Sequence, residues 1–382
     1  MGQGIQPHLL SAQMDADLEQ WACALLSGAP SWPQPPLATA QLLHYLDFHG
    51  ITGLLASRLL DLTDRASIDA DTMTAVRRVA ARSVVRELLL KDELGRVLSA
   101  AHDRDLHPLV LKGTALAYSV YPEPALRARN DVDVLIPVER KAEMGALLEA
   151  HGYVADVIAG EHWATSERGF TKALAGDVVS RIDLHWRLNN SPVFWHRDLE
   201  YACVSRDAQP LPSLHAHARA PRVPMLLLHA CLHRASHMRA PLRVHGVAYR
   251  VVNRLIWLYD IHVLAAGLSR DEWPRVLHAA DVLGIRQVCW AALHASMTRL
   301  KTRIPADVLA AFREAGGEPA SRHLDGSAWA LKLSEFRAVP APARWPWLRE
   351  HLFPSAAYMR ARFPDRPRAP LALLYARRLL SR

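Results

Sequence analysis

No stretch of the 382 residues approaches the ~20 consecutive apolar residues that span a bilayer. The opening Met-Gly-Gln-Gly-Ile-Gln-Pro-His lacks the basic region and apolar segment of a secretory signal. These absences exclude a membrane-spanning class and lead to the expectation of a cytoplasmic protein. Cysteine is scarce: Cys23, Cys203, Cys231 and Cys289 are scattered without a CxxC spacing, each in or near an apolar stretch. That excludes a disulfide framework and predicts buried thiols in a reducing compartment. There is no long lysine run, and the formal charge of +8 rests mostly on arginine, so nucleic acid is not indicated as a partner. Internal repeats, heptads and low-complexity tracts are missing as well.

What is present is a half-apolar chain long enough for two or three compact units. Residues 15–105 read as mostly helical, with apolar positions three and four apart in Leu18, Trp21, Ala22 and Leu25 and again in Leu90, Leu94, Val97 and Ala101. A proline-rich break spans Pro30–Pro36. From Pro108 the texture changes to short strands alternating with helices. Strands are predicted at Pro108–Lys112, Asp131–Ile136, Tyr153–Val157 and Val179–Leu188, with helices at Ala115–Tyr121 and at Val138–His151, the latter capped by Gly152. Helix returns at Val223–Met238, Tyr249–Leu264, Arg270–Val282 (with a capped turn at Asp271–Trp273) and Arg286–Leu300, and a basic amphipathic helix at Leu371–Leu380 closes a Pro/Arg-rich tail expected to pack back on the body. Helices, a small mixed sheet and helices again argue an α+β fold. The expected units are an N-terminal helical segment over 1–105, a sheet-bearing core over 106–205, a C-terminal helical domain over 206–335 and the tail over 336–382.

The chemistry concentrates in Asn130-Asp-Val-Asp-Val-Leu-Ile136. Alternate strand residues share a face, so Asp131 and Asp133 project together while Val132, Val134 and Ile136 pack. Two adjacent carboxylates repel unless neutralised, and a hard cation such as Mg²⁺ would do so and bring a phosphorylated substrate with it.

Four local patterns, Leu111-Lys-Gly-Thr-Ala-Leu116, Tyr121-Pro-Glu-Pro-Ala-Leu-Arg127, Asp131-Val-Asp-Val-Leu135 and Arg181-Ile-Asp-Leu-His-Trp186, resemble the nucleotidyltransferase superfamily that includes DNA polymerase β and the aminoglycoside nucleotidyltransferases. Within it the chain looks like the bacterial nucleotidyltransferase-like proteins known mainly from sequence. A weaker likeness continues through His229-Ala-Cys-Leu-His233 and Trp257-Leu-Tyr-Asp260. The resemblance implies a nucleotidyltransferase-type sheet as catalytic core and an Mg²⁺-dependent transferase, two ions being plausible. It would move a nucleoside monophosphate from an NTP to an unidentified acceptor hydroxyl or phosphate with release of pyrophosphate.

By that resemblance Asp131, Asp133 and Asp183 are the catalytic, metal-holding carboxylates, and Lys112, Gly113, Thr114 and Arg127 bind the nucleotide. Gly113 allows close backbone approach and Thr114 offers a hydroxyl at a helix start. The gap between Gly113 and Asp131 is longer than in most polymerase-like relatives, and Thr114 stands where many carry Ser. His185 shares a strand face with Asp183, and His229 and His233 either line the acceptor side or are ordinary helix histidines. His229, His233 and His237 also match the spacing of zinc-binding helices, but Ala230 replaces the glutamate of a zinc protease. Asp260 is expected to cap or pair with these groups. The alternative is a non-catalytic nucleotide- or protein-binding module, antitoxin-like or scaffold, that retains the fold.

Overall fold

The computed structural model describes residues 12–28, 38–61, 68–160, 162–238, 242–244, 247–249, 253–314 and 316–380. The break expected at Pro30–Pro36 lies outside them. Four helices open the chain: α1 (Ala12–Leu26), α2 (Thr39–His49), α3 (Thr52–Asp61) and α4 (Ala70–His102). The periodic positions of α1 and α4 are buried, Leu18, Trp21, Ala22 and Leu25 in one and Leu90, Leu94, Val97 and Ala101 in the other. Asp69 starts α4 by accepting the Thr72 N–H at 2.8 Å.

The middle of the chain builds β1 (Leu109–Val110), α5 (Lys112–Ser119), β2 (Val132–Leu135), α6 (Lys141–Ala150), β3 (Val154–Ala155), β4 (Glu167–Ala173), β5 (Val179–His185), α7 (Tyr201–Val204), β6 (Gln209–Pro210) and β7 (Arg219–Ala220). They form one mixed sheet in the order β3-β4-β5-β2-β1-β7-β6. β2 runs parallel to β5 and antiparallel to β1, and β4 is antiparallel to β5. Gly152 takes φ +83° after α6, the left-handed turn its position implied.

The rest is mostly helical: α8 (Val223–Met238), a hairpin of β8 (Leu242–Val244) and β9 (Val247–Tyr249), α9 (Leu255–Ala266), α10 (Trp273–Val282), α11 (Arg286–Leu300), α12 (Ala306–Arg313), α13 (Arg322–Asp325), α14 (Ala328–Ala338), α15 (Arg344–Leu352), α16 (Ala356–Arg362) and α17 (Leu371–Leu380). The fold is α+β, as expected. One continuous apolar core joins Leu18 of α1 to Phe312 of α12, while Met359, Phe363 and Leu374 make a small separate cluster in the tail. Residues 350–355 of the tail bond the middle of the chain, Ser355 N–H to the Ala159 carbonyl at 2.9 Å and the Glu350 carboxylate to the Trp163 and Ala164 N–H groups at 2.8 Å each, whereas α17, expected to pack on the body, packs on α16 within the tail.

Several boundaries differ from expectation. The predicted strand Pro108–Lys112 is shorter, because Lys112 already begins α5. The helix expected from Tyr249 begins at Leu255, and Val247–Tyr249 is a strand, in keeping with its valine and tyrosine. At the start of α10 the turn is closed by Glu272, whose Oε2 accepts the Ser269 N–H at 2.9 Å and hydroxyl at 2.8 Å, rather than by Asp271.

Candidate active site

β2 and β5 carry the acidic face. Their register sets Asp133 opposite Asp183 and Leu135 opposite His185, so the strand period places Asp131, Asp133, Asp183 and His185 on one face of two adjacent strands. Val132, Val134, Ile182 and Leu184 fill the other face and are buried. The acidic face opens into a cavity of about 700 Å³ whose walls include Gly113, Arg127, Asp131, Asp133, Asp183 and His185.

Asp133 is deeply buried and already engaged: its Oδ1 accepts the Lys112 ammonium at 2.5 Å and the His185 Nε2–H at 2.8 Å. Burial alone would raise its pKa, but the Lys112 charge and the His185 hydrogen bond hold it well below the carboxylate range. Lys112 is reciprocally held charged, since Asp133 and Glu167 overcome its burial. It sits at φ +45°, a left-handed conformation disfavoured for a residue with a Cβ, so the side chain's bond to Asp133 stabilises a strained backbone. His185 Nδ1 lies 3.1 Å from Glu167 Oε2, placing the imidazole between two carboxylates.

Asp131 and Asp183 are in the opposite condition. Asp131 makes no hydrogen bond among the described residues, and burial followed by repulsion from Asp133 raises its pKa. Asp183 is raised to about 6 by burial and then by Asp131. Its Oδ1 lies 3.0 Å from Arg181 Nε but without hydrogen-bond alignment, and Arg181 also bonds Asp156 at 2.8 Å. Burial and the neighbouring carboxylates outweigh the positive charge that Arg181 brings to both groups. A hard cation fits oxygen donors in this condition. Yet no three His, Cys, Asp or Glu residues among those described are gathered tightly enough to hold a metal alone. Asp131 and Asp183 could therefore hold Mg²⁺ together with substrate phosphates, the ion's usual arrangement.

Arg127 is locked rather than free. It donates through Nε and Nη2 to the two oxygens of Asp260, each at 2.7 Å, and Tyr121 Oη donates to the same Asp260 Oδ1 at 2.7 Å. Asp260 thus pairs with Arg127, not with the α8 histidines. The guanidinium crosses Gly113 so closely that a Cβ there would lie 3.2 Å from Arg127 Nη1, which explains glycine at that position. Thr114 is buried, is absent from the cavity wall, and its Oγ1 has no hydrogen-bond partner among the described residues.

His229 and His233 of α8 do line the cavity, with His237 beyond them. Burial pushes His229 down to about 3, and burial with the neighbouring His237 holds His233 well below the imidazole range. The His233 and His237 rings pack tilted at 4.3 Å between centroids, both against Trp257. This is an aromatic packing arrangement of neutral rings, not a zinc cluster.

Six lining residues escape a reading of the sequence. Glu167 comes from β4, where charged residues at both parities hide the strand. Arg254 precedes the apolar helix α9 and matches no motif. His323, Lys332, Glu335 and His351 reach the same cavity from beyond residue 300. Among the described residues no helix is long and apolar enough to cross a membrane.

No curated protein matches this chain. A family model described as "Uncharacterised nucleotidyltransferase" matches residues 35–300 of the 382, from before α2 to the end of α11, and that range holds the paired strands, Lys112, Arg127 and the α8 histidines. The chain belongs to this uncharacterised nucleotidyltransferase family.

Proposed function

We propose that the protein transfers a nucleoside monophosphate from an NTP to an acceptor hydroxyl or phosphate and releases pyrophosphate, with Mg²⁺ as cofactor. The observation that carries this reading is the in-register Asp133–Asp183 pair with Asp131 beside it. Within a nucleotidyltransferase family chain, that acidic face of a large cavity holds two carboxylates whose pKa values burial and mutual repulsion raise. Bound Mg²⁺ would neutralise these carboxylates and the phosphates they face. Asp131 and Asp183 would hold it, and Asp133 anchors Lys112 beside them.

In the reaction an acceptor oxygen forms a bond to the α-phosphorus, the α–β anhydride bond breaks, and pyrophosphate departs with its electron pair. The acceptor proton would go to Asp183, which faces the cavity beside Asp131. His229 and His233, held neutral, border the acceptor side without adding charge to the acidic face. Positioning and charge neutralisation supply most of the rate in such displacements.

One observation favours a second reading. Asp133 is already saturated by Lys112 and His185, an internally balanced arrangement compatible with a non-catalytic nucleotide-binding module. Pyrophosphate release from each of the four NTPs, assayed with Mg²⁺ and pools of hydroxylated metabolites, peptides and RNA ends, separates the two. Release that disappears in Asp131→Asn/Asp133→Asn supports the transferase; nucleotide binding with no release across the pools supports the module.

A further inference from the structure

The cations around the cavity can be accounted for one by one. Lys112 is bonded to Asp133, and Arg127 forks onto Asp260. Arg129 pairs with Glu87 at 2.6 Å, and Lys332 with Glu335 at 2.6 Å. Arg254 is different. No carboxylate among the described residues lies within ion-pair distance of it, and its hydrogen bonds go only to main-chain carbonyls, Nε to Phe48 at 2.7 Å and Nη2 to Asp47 at 3.4 Å. Nη1 donates to nothing among the described residues.

A guanidinium lining a cavity with unused donors and, among the described residues, no carboxylate at ion-pair distance costs desolvation that two carbonyls recover only in part. The local structure nevertheless makes room for it. Gly50 ends α2 in the left-handed region at φ +69°, and a Cβ there would lie 2.7 Å from Arg254 Nη2, so any side chain would displace the guanidinium. Gly50 and Arg254 both line the cavity that Asp131 faces, and the Arg254 charge interacts with Arg127 and, beyond ion-pair distance, with Asp47, Asp131 and Asp260. The planar fork suits phosphate oxygens, to which Arg donates in pairs.

Resting on the transferase reading, we propose that Arg254 is the anchor for the terminal phosphates of the nucleoside triphosphate. The site would be assembled from the turn after α2, the start of α9 and the acidic strands. Lys112 and Arg127 are then chiefly internal counter-ions, and among the described residues that line the cavity Arg254 is the cation left for the ligand. An opposing role is purely structural: Arg254 would only tie the carbonyl end of α2 to α9.

The test is calorimetric titration of inorganic tripolyphosphate and of the four NTPs, each with Mg²⁺, into wild type, Arg254→Met and Arg254→Lys, with thermal melting of each variant alongside. Tripolyphosphate has no base or sugar, so it reports phosphate contacts alone. Loss of a charge-assisted, paired contact is expected to weaken both ligands about ten- to a hundredfold in Arg254→Met. Arg254→Lys retains the charge but not the fork, so it should fall between, at near wild-type melting temperature, which keeps the proposal open to refutation if Arg254→Met does not fold. A lowered melting temperature with affinity for both ligands within twofold of wild type in the Lys variant and in any folded Met variant overturns the anchor and leaves the transferase reading standing. Failure of wild type to bind any NTP overturns the transferase reading itself.

Discussion

Asp133 and Asp183 are register partners across the parallel strands β2 and β5, and Asp131 stands two residues along on the same face. Two of these three carboxylates have pKa values raised by burial and then by repulsion from their neighbouring carboxylates. Ionising Asp183 therefore costs stability in the fold: with its pKa raised to about 6, the site's contribution is greatest at low pH and is lost as pH rises through about 6. Asp183→Asn is expected to stabilise the metal-free protein at pH 8 by about 1 kcal/mol while abolishing Mg²⁺-dependent turnover, a trade common at functional sites. Thermal melts with and without Mg²⁺, paired with pyrophosphate assays, check both halves.

Lys112 compensates Asp133 from a left-handed backbone. Replacing it with Met leaves a buried carboxylate without its cation, a loss of about 3 kcal/mol for a broken buried pair. Mg²⁺ should recover more melting temperature in Lys112→Met than in wild type, because the ion can take over the neutralisation. Equal shifts in the two proteins would show that cations do not reach Asp133.

The Arg127–Asp260 fork joins the segment before β2 to α9 across 133 residues, with both partners buried. Asp260→Asn is expected to destabilise the fold by about 3–5 kcal/mol, as breaking a buried pair does. Gly113→Ala presses on the same guanidinium and should cost about 1–3 kcal/mol, the range for overpacking. Denaturant melts of the two single variants and the double variant measure the coupling. Strict additivity would contradict a shared origin.

His49 is buried, and its Nδ1 accepts the Leu255 N–H at 3.2 Å, which requires that nitrogen to be unprotonated. Burial, then the Arg254 charge, pushes its pKa down to about 3. The unfolded chain therefore binds a proton that the folded one does not. Stability from this site is full above about pH 6.5 and falls as pH drops toward 3, at up to about 1.4 kcal/mol per pH unit. Comparing melting curves of wild type and His49→Gln from pH 7.5 to 5 checks this: the variant should show the shallower decline.

The acidic face was legible because strand period is local: Asp131 and Asp133 alternate within an apolar run, and Asp183 and His185 do the same in Val179–His185. Helices α8, α11 and α17 were legible from apolar spacing to the residue. What pairs with Arg127 was not, since Asp260 lies 133 positions away and nothing local marks the partnership. The left-handed start of α5 at Lys112 was hidden because a lysine carries no signal for positive φ. Arg254 escaped because its role depends on what its neighbours leave unpaired, a property of the assembled cavity.

The most direct test of the central reading is calorimetric titration of the four NTPs into wild type and Asp131→Asn/Asp133→Asn, each with and without Mg²⁺. Expected is binding of at least one NTP by wild type that depends on Mg²⁺ and is lost in the folded double variant. Binding of the same strength in both proteins, or binding indifferent to Mg²⁺, would contradict it.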